Sequence, residues 1–268
     1  MRRKELSIKH CVVLGVSLAL ALLSVPGFAE SKGHAADAAA ILDRHLEVSG
    51  GPDAHKAIKN RHMKARLTIP AHGIEGTLDV YIAKPNKMYT LLEASMIGKV
   101  ESGSNGDVVW EVSGMTGPVI KEGKERTDML RRGRLELASD WRDNYQKVET
   151  DGTEDIDGKI CDWVVLTPQE GSSDKQCFDK ETGLMVMTKM TLATPQGDML
   201  LKTYLSDHRE VDGLKLPFET KIVVMGQERH LKVESFEHNV ELSADRFDLP
   251  EAIQSLVDQR SGSPAKSD

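Results

Sequence analysis

The sequence predicts a mainly β fold with helices, in which a long antiparallel sheet forms a curved half-barrel. Apolar and polar residues alternate with a period of two over most of residues 62–240, which is typical of strands with one buried face. Short turn segments separate the alternating stretches and leave no room for crossover helices, so neighbouring strands are antiparallel. The alternation stops over 121–145, where Met129, Leu130 and Leu137 recur at helical intervals. We expect an N-terminal helix and this insertion to close the concave side of the sheet.

Residues 1–29 have the three parts of a cleavable secretory signal peptide. Four basic residues precede position 10, an apolar run covers 11–25, and Pro26 and Ala29 lie at its exit. The run is shorter than the ~20 residues that a membrane-spanning helix needs, although an uncleaved anchor is the alternative. We therefore predict cleavage near Ala29, a periplasmic location and no transmembrane segment in the mature chain.

The charge of the chain bears on its partners. The net charge is −7, and removal of residues 1–29, with four bases and one acid, changes it to −10. An acidic domain repels nucleic acid over a screening length of ~8 Å, so we exclude nucleic acid as a partner. The rest of the chain is long enough for one all-β domain or for a small two-domain protein, and we place a single domain at 30–250. We expect 251–268 to be a flexible C-terminal tail with a weak helix over 251–258.

The predicted elements follow from the local pattern. A helix over 35–48 places Leu42, His45 and Leu46 at helical spacing, and a second short helix follows at 53–59. The segments 155–158 and 210–213 both end in Asp-Gly and predict similar hairpin turns. The predicted strands are 62–69, 74–83, 88–94, 97–102, 108–112, 146–150, 159–167, 175–179, 184–193, 198–206, 214–225 and 228–240.

Two cysteines, Cys161 and Cys177, remain after cleavage of the signal peptide. They lie on two predicted strands joined by the turn-rich segment 168–173, so they would be close to each other across a hairpin. An oxidising compartment favours a disulfide between them. Two separate buried thiols are the alternative, because disulfide geometry is restrictive.

Four segments resemble the LolA/LolB-like superfamily of periplasmic lipoprotein carriers. They are a helix followed by Gly-Gly at 41–51, paired strands at 80–89, an Asp-x-x-Thr-Gly-Leu turn within 177–184 and a late hairpin at 204–217. The resemblance covers roughly residues 37–250, and its motifs are turn chemistry. It implies a curved sheet of about eleven strands around an apolar cavity, closed by helices, that holds acyl chains. No ligand residue of the family is carried over.

No motif of catalysis, metal binding or cofactor binding is present. The sequence lacks Gly-x-Ser-x-Gly, His-Glu-x-x-His and a phosphate-binding glycine loop. The acid-rich stretch 151–157 lacks the spaced ligands of a calcium loop. We therefore predict no catalytic residue, no metal and no cofactor. We expect the histidines of the mature chain to be solvated; they are His34, His45, His55, His62, His72, His208, His230 and His238.

Methionine is the unusual feature of the composition. The chain has 11 Met but only 5 Phe, 4 Tyr and 3 Trp. Methionine adapts to varied apolar partners, so these residues fit a lined cavity better than a dense core, although ordinary core packing is the alternative for any single one. The candidate lining residues are Met63, Met88, Met96, Met115, Met129, Leu130, Met185, Met187, Met190 and Met225.

These observations lead to three hypotheses of function. The first is a periplasmic, non-enzymatic carrier or binder of a lipophilic ligand, whose partner is a lipid or an acylated protein. The second is a sensor or interaction module of the same fold, which binds another envelope protein through segments such as the charged stretch 121–134. The third is a hydrolase with an unrecognised site.

Overall fold

The computed structural model describes residues 35–194 and 197–261 and contains thirteen antiparallel strands in one sheet. The signal peptide predicted over 1–29 lies outside the described residues. The strands are β1 (Asn60–Ile69), β2 (Ile74–Ala83), β3 (Lys87–Ala94), β4 (Gly98–Asn105), β5 (Val109–Ser113), β6 (Gly117–Lys121), β7 (Lys147–Ile156), β8 (Lys159–Thr167), β9 (Asp174–Asp179), β10 (Met185–Thr194), β11 (Gly197–Val211), β12 (Leu214–Val224) and β13 (Gln227–His238). The helices are α1 (Ala35–Val48), α2 (Gly51–Ala57), α3 (Gly123–Arg132), α4 (Trp141–Asn144) and α5 (Glu251–Ser261).

The strand order explains why a helical insertion crosses the sheet. The order is β6-β5-β4-β3-β2-β1-β13-β12-β11-β10-β9-β8-β7, and β1 pairs with β13 through residues 61–68 and 230–238. Because of this pairing, β6 and β7, which follow each other in the chain, form the two opposite edges of the sheet. The connection between them, which contains α3 and α4, therefore has to pass from one edge to the other.

The predicted fold class, mainly β with helices, is confirmed, and the sheet is open, as a half-barrel requires. It has thirteen strands instead of about eleven. The strand that the sequence pattern missed is β6, which begins with Gly117 and Pro118 and offers little alternation. Proline is tolerated there because β6 is an edge strand. The insertion 121–145 contains one ten-residue helix, α3, and the four-residue α4.

Three hairpins have two-residue turns in which both central residues have a positive φ, between 50° and 82°. This is the geometry of a type I′ turn, which Asp-Gly and Asn-Gly sequences favour. The two predicted Asp-Gly turns are confirmed, and Met225-Gly226 forms the third. The three turns are Asp157-Gly158, Asp212-Gly213 and Met225-Gly226.

Helices α1, α2 and α4 pack on one face of the sheet, which we call the helix-covered face. The main cluster of buried residues joins Leu42 of α1 and Trp141 of α4 to Val164 and Phe178 of the sheet. A second cluster brings Ile58, after α2, against β12. The apolar stripe of α1 recurs every three to four residues, so burial of this stripe fixes the helix to the sheet.

The opposite face carries a row of aromatic side chains and the C-terminal segment. Tyr81, Tyr89 and Trp110 lie on neighbouring parts of β2, β3 and β5, and the Arg246 guanidinium stacks 4.5 Å from the Tyr81 ring centre. In α5, Ile253 is fully buried. The predicted helix over 251–258 is therefore confirmed and extends to 261, and this part of the expected flexible tail packs on the domain.

Within residues 35–194 and 197–261, no helix combines the length and the apolar character needed to cross a membrane.

A candidate ligand cavity under the helices

A cavity of about 250 Å³ lies between the helices and the helix-covered face. Leu42 of α1, Leu137 of the turn segment 133–140 and Trp141 of α4 form an apolar wall on the helical side. Met185 of β10 and Leu205 of β11 form part of the floor. The segment 133–140 is built from turns, so one wall of the cavity lies outside regular secondary structure.

Six basic side chains also line this cavity, and none of the lining residues is an Asp or a Glu. This is unexpected in a chain with a net charge of −7. The basic groups come from α1, α2, β1, the 133–140 segment, β11 and β12, so they converge from six parts of the chain. They are His45, His55, Arg61, Arg134, His208 and Lys215.

Arg61 lies on β1 and has no carboxylate partner among the described residues. Its Nε donates a 3.0 Å hydrogen bond to Nε2 of His238, and Nδ1 of the same ring pairs with Asp212 at 2.9 Å. This relay orients the guanidinium, whose centre also lies 5.7 Å from the Phe236 ring. Burial lowers the pKa of Arg61 to about 10, which reflects the cost of a cation without an adjacent counter-ion.

His45 is held by the backbone of the turn after β9. Its Nδ1 lies 3.1 Å from the carbonyl oxygen of Gly183, and because a carbonyl can only accept, Nδ1 carries the proton in the neutral ring. Burial lowers the pKa of His45 to about 4, although the hydrogen bond to Gly183 opposes this shift. His45 is therefore neutral near pH 7.

The other two cavity histidines have the same tendency. Burial and, secondly, the charge of Arg61 lower the pKa of His55, whose Nε2 lies 3.0 Å from the Ser49 hydroxyl. Burial, followed by the charge of Lys159, lowers the pKa of His208. Both rings are neutral at neutral pH for the same reason: charging them would add a buried cation beside existing ones.

A close backbone contact brings the helical histidines to this position. The turn between α1 and α2 contains Gly50 at φ 135°, and a Cβ there would lie 2.4 Å from the Gly213 carbonyl oxygen. The Lys215 backbone N–H also donates a 2.9 Å hydrogen bond to the Ser49 carbonyl. Only glycine permits this approach of the α1–α2 turn to the β11–β12 hairpin.

A larger groove of about 750 Å³ lies on the opposite face, over β1 and β11–β13. Apolar residues such as Ile156 and Val186 line it together with charges of both signs, and some of these charges are paired: Arg66 with Glu234 at 2.5 Å, and Lys232 with Glu219 at 3.8 Å. The aliphatic stems of such residues add to the apolar surface of the groove. The cavity under the helices contains basic groups without carboxylate partners among the described residues, and for this reason we take it as the candidate site.

The predicted methionine lining fits this cavity at one position. Of the ten predicted residues, all within the described chain, Met185 lines it. Met96, Met115 and Met225 are instead 83–84% exposed, because each lies in a turn between two strands. These three side chains therefore do not line the cavity.

The remaining predicted residues have other surroundings. Met187 is buried on the opposite face beside the disulfide, and Met63 packs in a cluster with Ala65, Phe218 and Val233. Met88 pairs with Ile82 and Ser104 in the sheet, and Met190 with Asp174 and Leu201. Met129 and Leu130 are partly buried on α3.

Several charged residues of the stretch 121–134 form ion pairs and hydrogen bonds within the protein. Arg131 is buried and donates to Asp174 at 2.6 Å and to the Ser172 carbonyl at 2.8 Å. Arg132 donates to the other Asp174 oxygen at 2.6 Å. Burial tends to raise the pKa of Asp128, but hydrogen bonds from Ser172 and the nearby arginines outweigh it and lower that pKa. This network fixes α3 to the sheet, so Asp128, Arg131 and Arg132 are not available to an envelope partner, whereas Glu122 and Lys124 are exposed.

Sequence reasoning missed the basic cavity. The expectation that the histidines are solvated is wrong for His45, His55 and His208, and also for buried His62, which lies between Asp79 and Glu237. One signal was present, because His45 has the helical spacing of the apolar stripe of α1. The predicted disulfide between Cys161 and Cys177 is present, with Cα atoms 5.5 Å apart.

Comparison with known proteins identifies the fold. No protein-family model matches the chain, and no curated protein matches it. Similar solved structures include a DUF1329 family protein from Desulfovibrio piger (15% identity, TM-score 0.54, covering 79% of this chain and 97% of that one). A LolA superfamily protein from Nitrosomonas europaea has 13% identity and a TM-score of 0.53, with coverage of 79% and 97%. An outer membrane lipoprotein-sorting protein domain from Vibrio parahaemolyticus has 10% identity and a TM-score of 0.50, with coverage of 80% and 97%. The predicted resemblance is confirmed at the level of fold: the chain has a LolA-like fold.

Proposed function

We propose that this protein is an exported, non-enzymatic binder or carrier of a lipophilic ligand, which it holds under the helices. The observation that carries the proposal is the cavity between the helical layer and the sheet, with its wall of Leu42, Leu137 and Trp141. The fold agrees with it, because one structural neighbour is described as a lipoprotein-sorting domain. A periplasmic location, with a lipid or an acylated protein as partner, follows from the predicted signal peptide.

Burial of a hydrocarbon chain would supply the affinity. Each methylene transferred from water gains ~0.8 kcal/mol, before the costs of binding and ordering. The cavity of about 250 Å³ lies just below the ~300–1,000 Å³ of typical ligand pockets, so a long chain requires its walls to move apart. The turn segment 133–140 is the wall best suited to move, because it lies outside regular secondary structure.

Filling the cavity with a larger side chain tests the location. The Met185→Trp variant places an indole in the space under the helices, and we expect it to weaken binding of the neutral fluorescent probe N-phenyl-1-naphthylamine at least about tenfold. Two matched controls carry the same new side chain elsewhere: Met115→Trp at an exposed turn and Ser206→Trp in the groove on the opposite face. Both controls should bind the probe like the wild type.

Two outcomes would contradict the proposal in different ways. If only Ser206→Trp weakens binding, the ligand lies in the groove on the opposite face. If all variants and the wild type fail to take up the probe, and native mass spectrometry of the exported protein shows no co-purified lipid, lipid binding itself is wrong. Because overpacking costs ~1–3 kcal/mol, thermal melting has to show that Met185→Trp is folded at the assay temperature.

A further inference from the structure

The cavity under the helices contains permanent positive charge that the protein does not neutralise. Arg61, Arg134 and Lys215 line it, and no described residue forms an ion pair with any of the three. Arg134 donates one hydrogen bond to Asn144, while its Nε is buried without a hydrogen-bond partner in the described chain. The bonds that these side chains make to His238 and Asn144 orient the two guanidinium groups but leave their charge uncompensated.

Such an arrangement opposes folding, because a buried cation is costly unless a counter-charge is close. The same chain neutralises the buried Arg131 with Asp174 at 2.6 Å, whereas the half-buried Arg61 and Arg134 have no such partner among the described residues. The contrast shows that an acid can be placed beside a buried arginine in this fold. A cluster that keeps its positive charge next to an apolar wall has the chemistry of a site for an anionic group that carries a hydrocarbon chain.

We propose that the cavity binds an anionic amphiphile, with Arg61 and Arg134 holding the charged oxygens of its carboxylate or phosphate group and the hydrocarbon chain lying along the apolar wall. This inference rests on the proposed lipid-binding function and specifies the chemical class of the ligand. Arg61 is the principal residue for binding the anion. Its Nε is already hydrogen-bonded to His238, and the other N–H groups of the guanidinium have no hydrogen-bond partner in the described chain. Lys215, from β12, also lines the cavity but is exposed to solvent.

The three histidines of the cavity should take up protons when an anion binds. His45, His55 and His208 are neutral at neutral pH because burial disfavours a charge on each ring, and the positive charge of Arg61 acts in the same direction on His55. A bound anion would reverse the sign of the local field and favour their protonation. Binding should therefore take up protons, and the number taken up, measured by titration calorimetry in buffers of different ionisation enthalpy, should rise between pH 7.5 and 6.

Ligands with the same chain and different head groups test the inference. Dodecanol, dodecanoate and dodecyl phosphate are compared by titration calorimetry below their aggregation concentrations, together with inorganic phosphate alone. We expect the two anions to bind about ten- to a hundredfold more tightly than dodecanol, because hydrogen bonds to charged groups typically add this much affinity. The preference should disappear in Arg61→Met and weaken in Arg134→Met, and it should remain in Arg66→Met, which removes an exposed arginine from the opposite face.

The outcomes separate this inference from the proposed function. Equal affinity for dodecanol and dodecanoate overturns the anion site and leaves lipid binding intact. If no chain binds but inorganic phosphate binds to the wild type and not to Arg61→Met, the anion site stands and lipid binding is wrong. If neither chains nor phosphate bind, both are wrong. Arg61→Met should melt no lower than the wild type, because it removes an uncompensated cation and keeps an apolar stem; a melting temperature well below that of the wild type would show a structural role for Arg61 and overturn the inference.

Discussion

At the scale of single residues, the histidines under the helices connect folding to pH. The pKa of His45 is lowered to about 4 in the folded protein, chiefly by burial, while an exposed histidine in the unfolded chain has a pKa of about 6.5. The unfolded state therefore binds protons more readily between these two values. The stability associated with neutral His45 is fully present above pH 6.5 and is lost as the pH falls towards 4.

We predict that the free energy of unfolding of the wild type decreases as the pH is lowered from 6.5 to about 4. His45 contributes up to about 3 kcal/mol of this decrease, from a pKa difference of about 2.5. The His45→Gln variant should show a correspondingly smaller decrease in urea unfolding experiments at pH 7.0, 5.5 and 4.5. The carboxylates with lowered pKa, such as Asp128, lose their charge below this window.

The exposed residue His72, in the turn between β1 and β2, provides the control. His72→Gln should leave the pH dependence of the wild type unchanged, since His72 is in contact with solvent. Burial also lowers the pKa values of His55, His208 and His238, so part of the acid sensitivity should remain in His45→Gln. Parallel curves for His45→Gln and the wild type would show that His45 does not carry the effect.

At the scale of elements, α3 depends on its buried ion pairs. Arg131 is 7% exposed and bonds Asp174, the Ser172 carbonyl and the Tyr145 hydroxyl. Burial opposes the charge of Arg131, but the hydrogen bond and charge of Asp174 outweigh it and raise the pKa of Arg131. Removal of the arginine would leave Asp174 and Asp128 buried with only Arg132 beside them.

We predict that Arg131→Met lowers the free energy of unfolding by about 3–5 kcal/mol, which is the usual cost of breaking a buried pair. The matched control is Arg142→Met, which breaks a bidentate pair with Asp43 on the surface, where both side chains are at least 45% exposed. That variant should cost about 0–1 kcal/mol. Chemical denaturation of both variants at pH 7 measures the difference, and similar values for the two would contradict the assigned role of the α3 network.

The elements also show what the sequence pattern predicts well. Strands such as β2 and β12 were predicted within one residue of their ends, because alternation continues up to a turn with Gly, Pro or Asp. The edge strand β6 was missed, since Gly117 and Pro118 break the alternation and an edge strand buries less of either face. The Asp-Gly hairpins were predictable because that sequence favours the two positive φ angles of the turn.

The cavity, in contrast, was not predictable from local pattern. His45, Arg61 and His208 are far apart in the sequence, and each stands among ordinary neighbours for a helix or a strand. They meet only because β1 pairs with β13 and because Gly50 lets the helices approach β12. The number of methionines indicated adaptable apolar surface. Met96, Met115 and Met225, however, lie in turns between strands and are exposed.

At the scale of the whole molecule, one strand pair and one disulfide link separate parts of the sheet. Pairing of β1 with β13, through residues 61–68 and 230–238, joins β1–β6 to β7–β13 in one sheet. The disulfide between Cys161 and Cys177 joins β8 to β9, on the face opposite the helices, where both cysteines are fully buried. Export to an oxidising compartment, as the predicted signal peptide implies, would allow this bond to form and persist.

We predict that this bond contributes about 3 kcal/mol, because it closes a loop with a sequence separation of 16 residues in the unfolded chain. Full reduction of the mature protein should lower its melting temperature by about 6–12 °C, given ~2–4 °C per kcal/mol for a domain of this size. The Cys161→Ala/Cys177→Ala double variant should melt near the reduced wild type and should not respond to reductant. A thiol assay on the denatured protein has to show complete reduction. If a fully reduced wild type melts at the temperature of the oxidised one, the β1–β13 pairing and the helical layer hold the sheet without help from the disulfide.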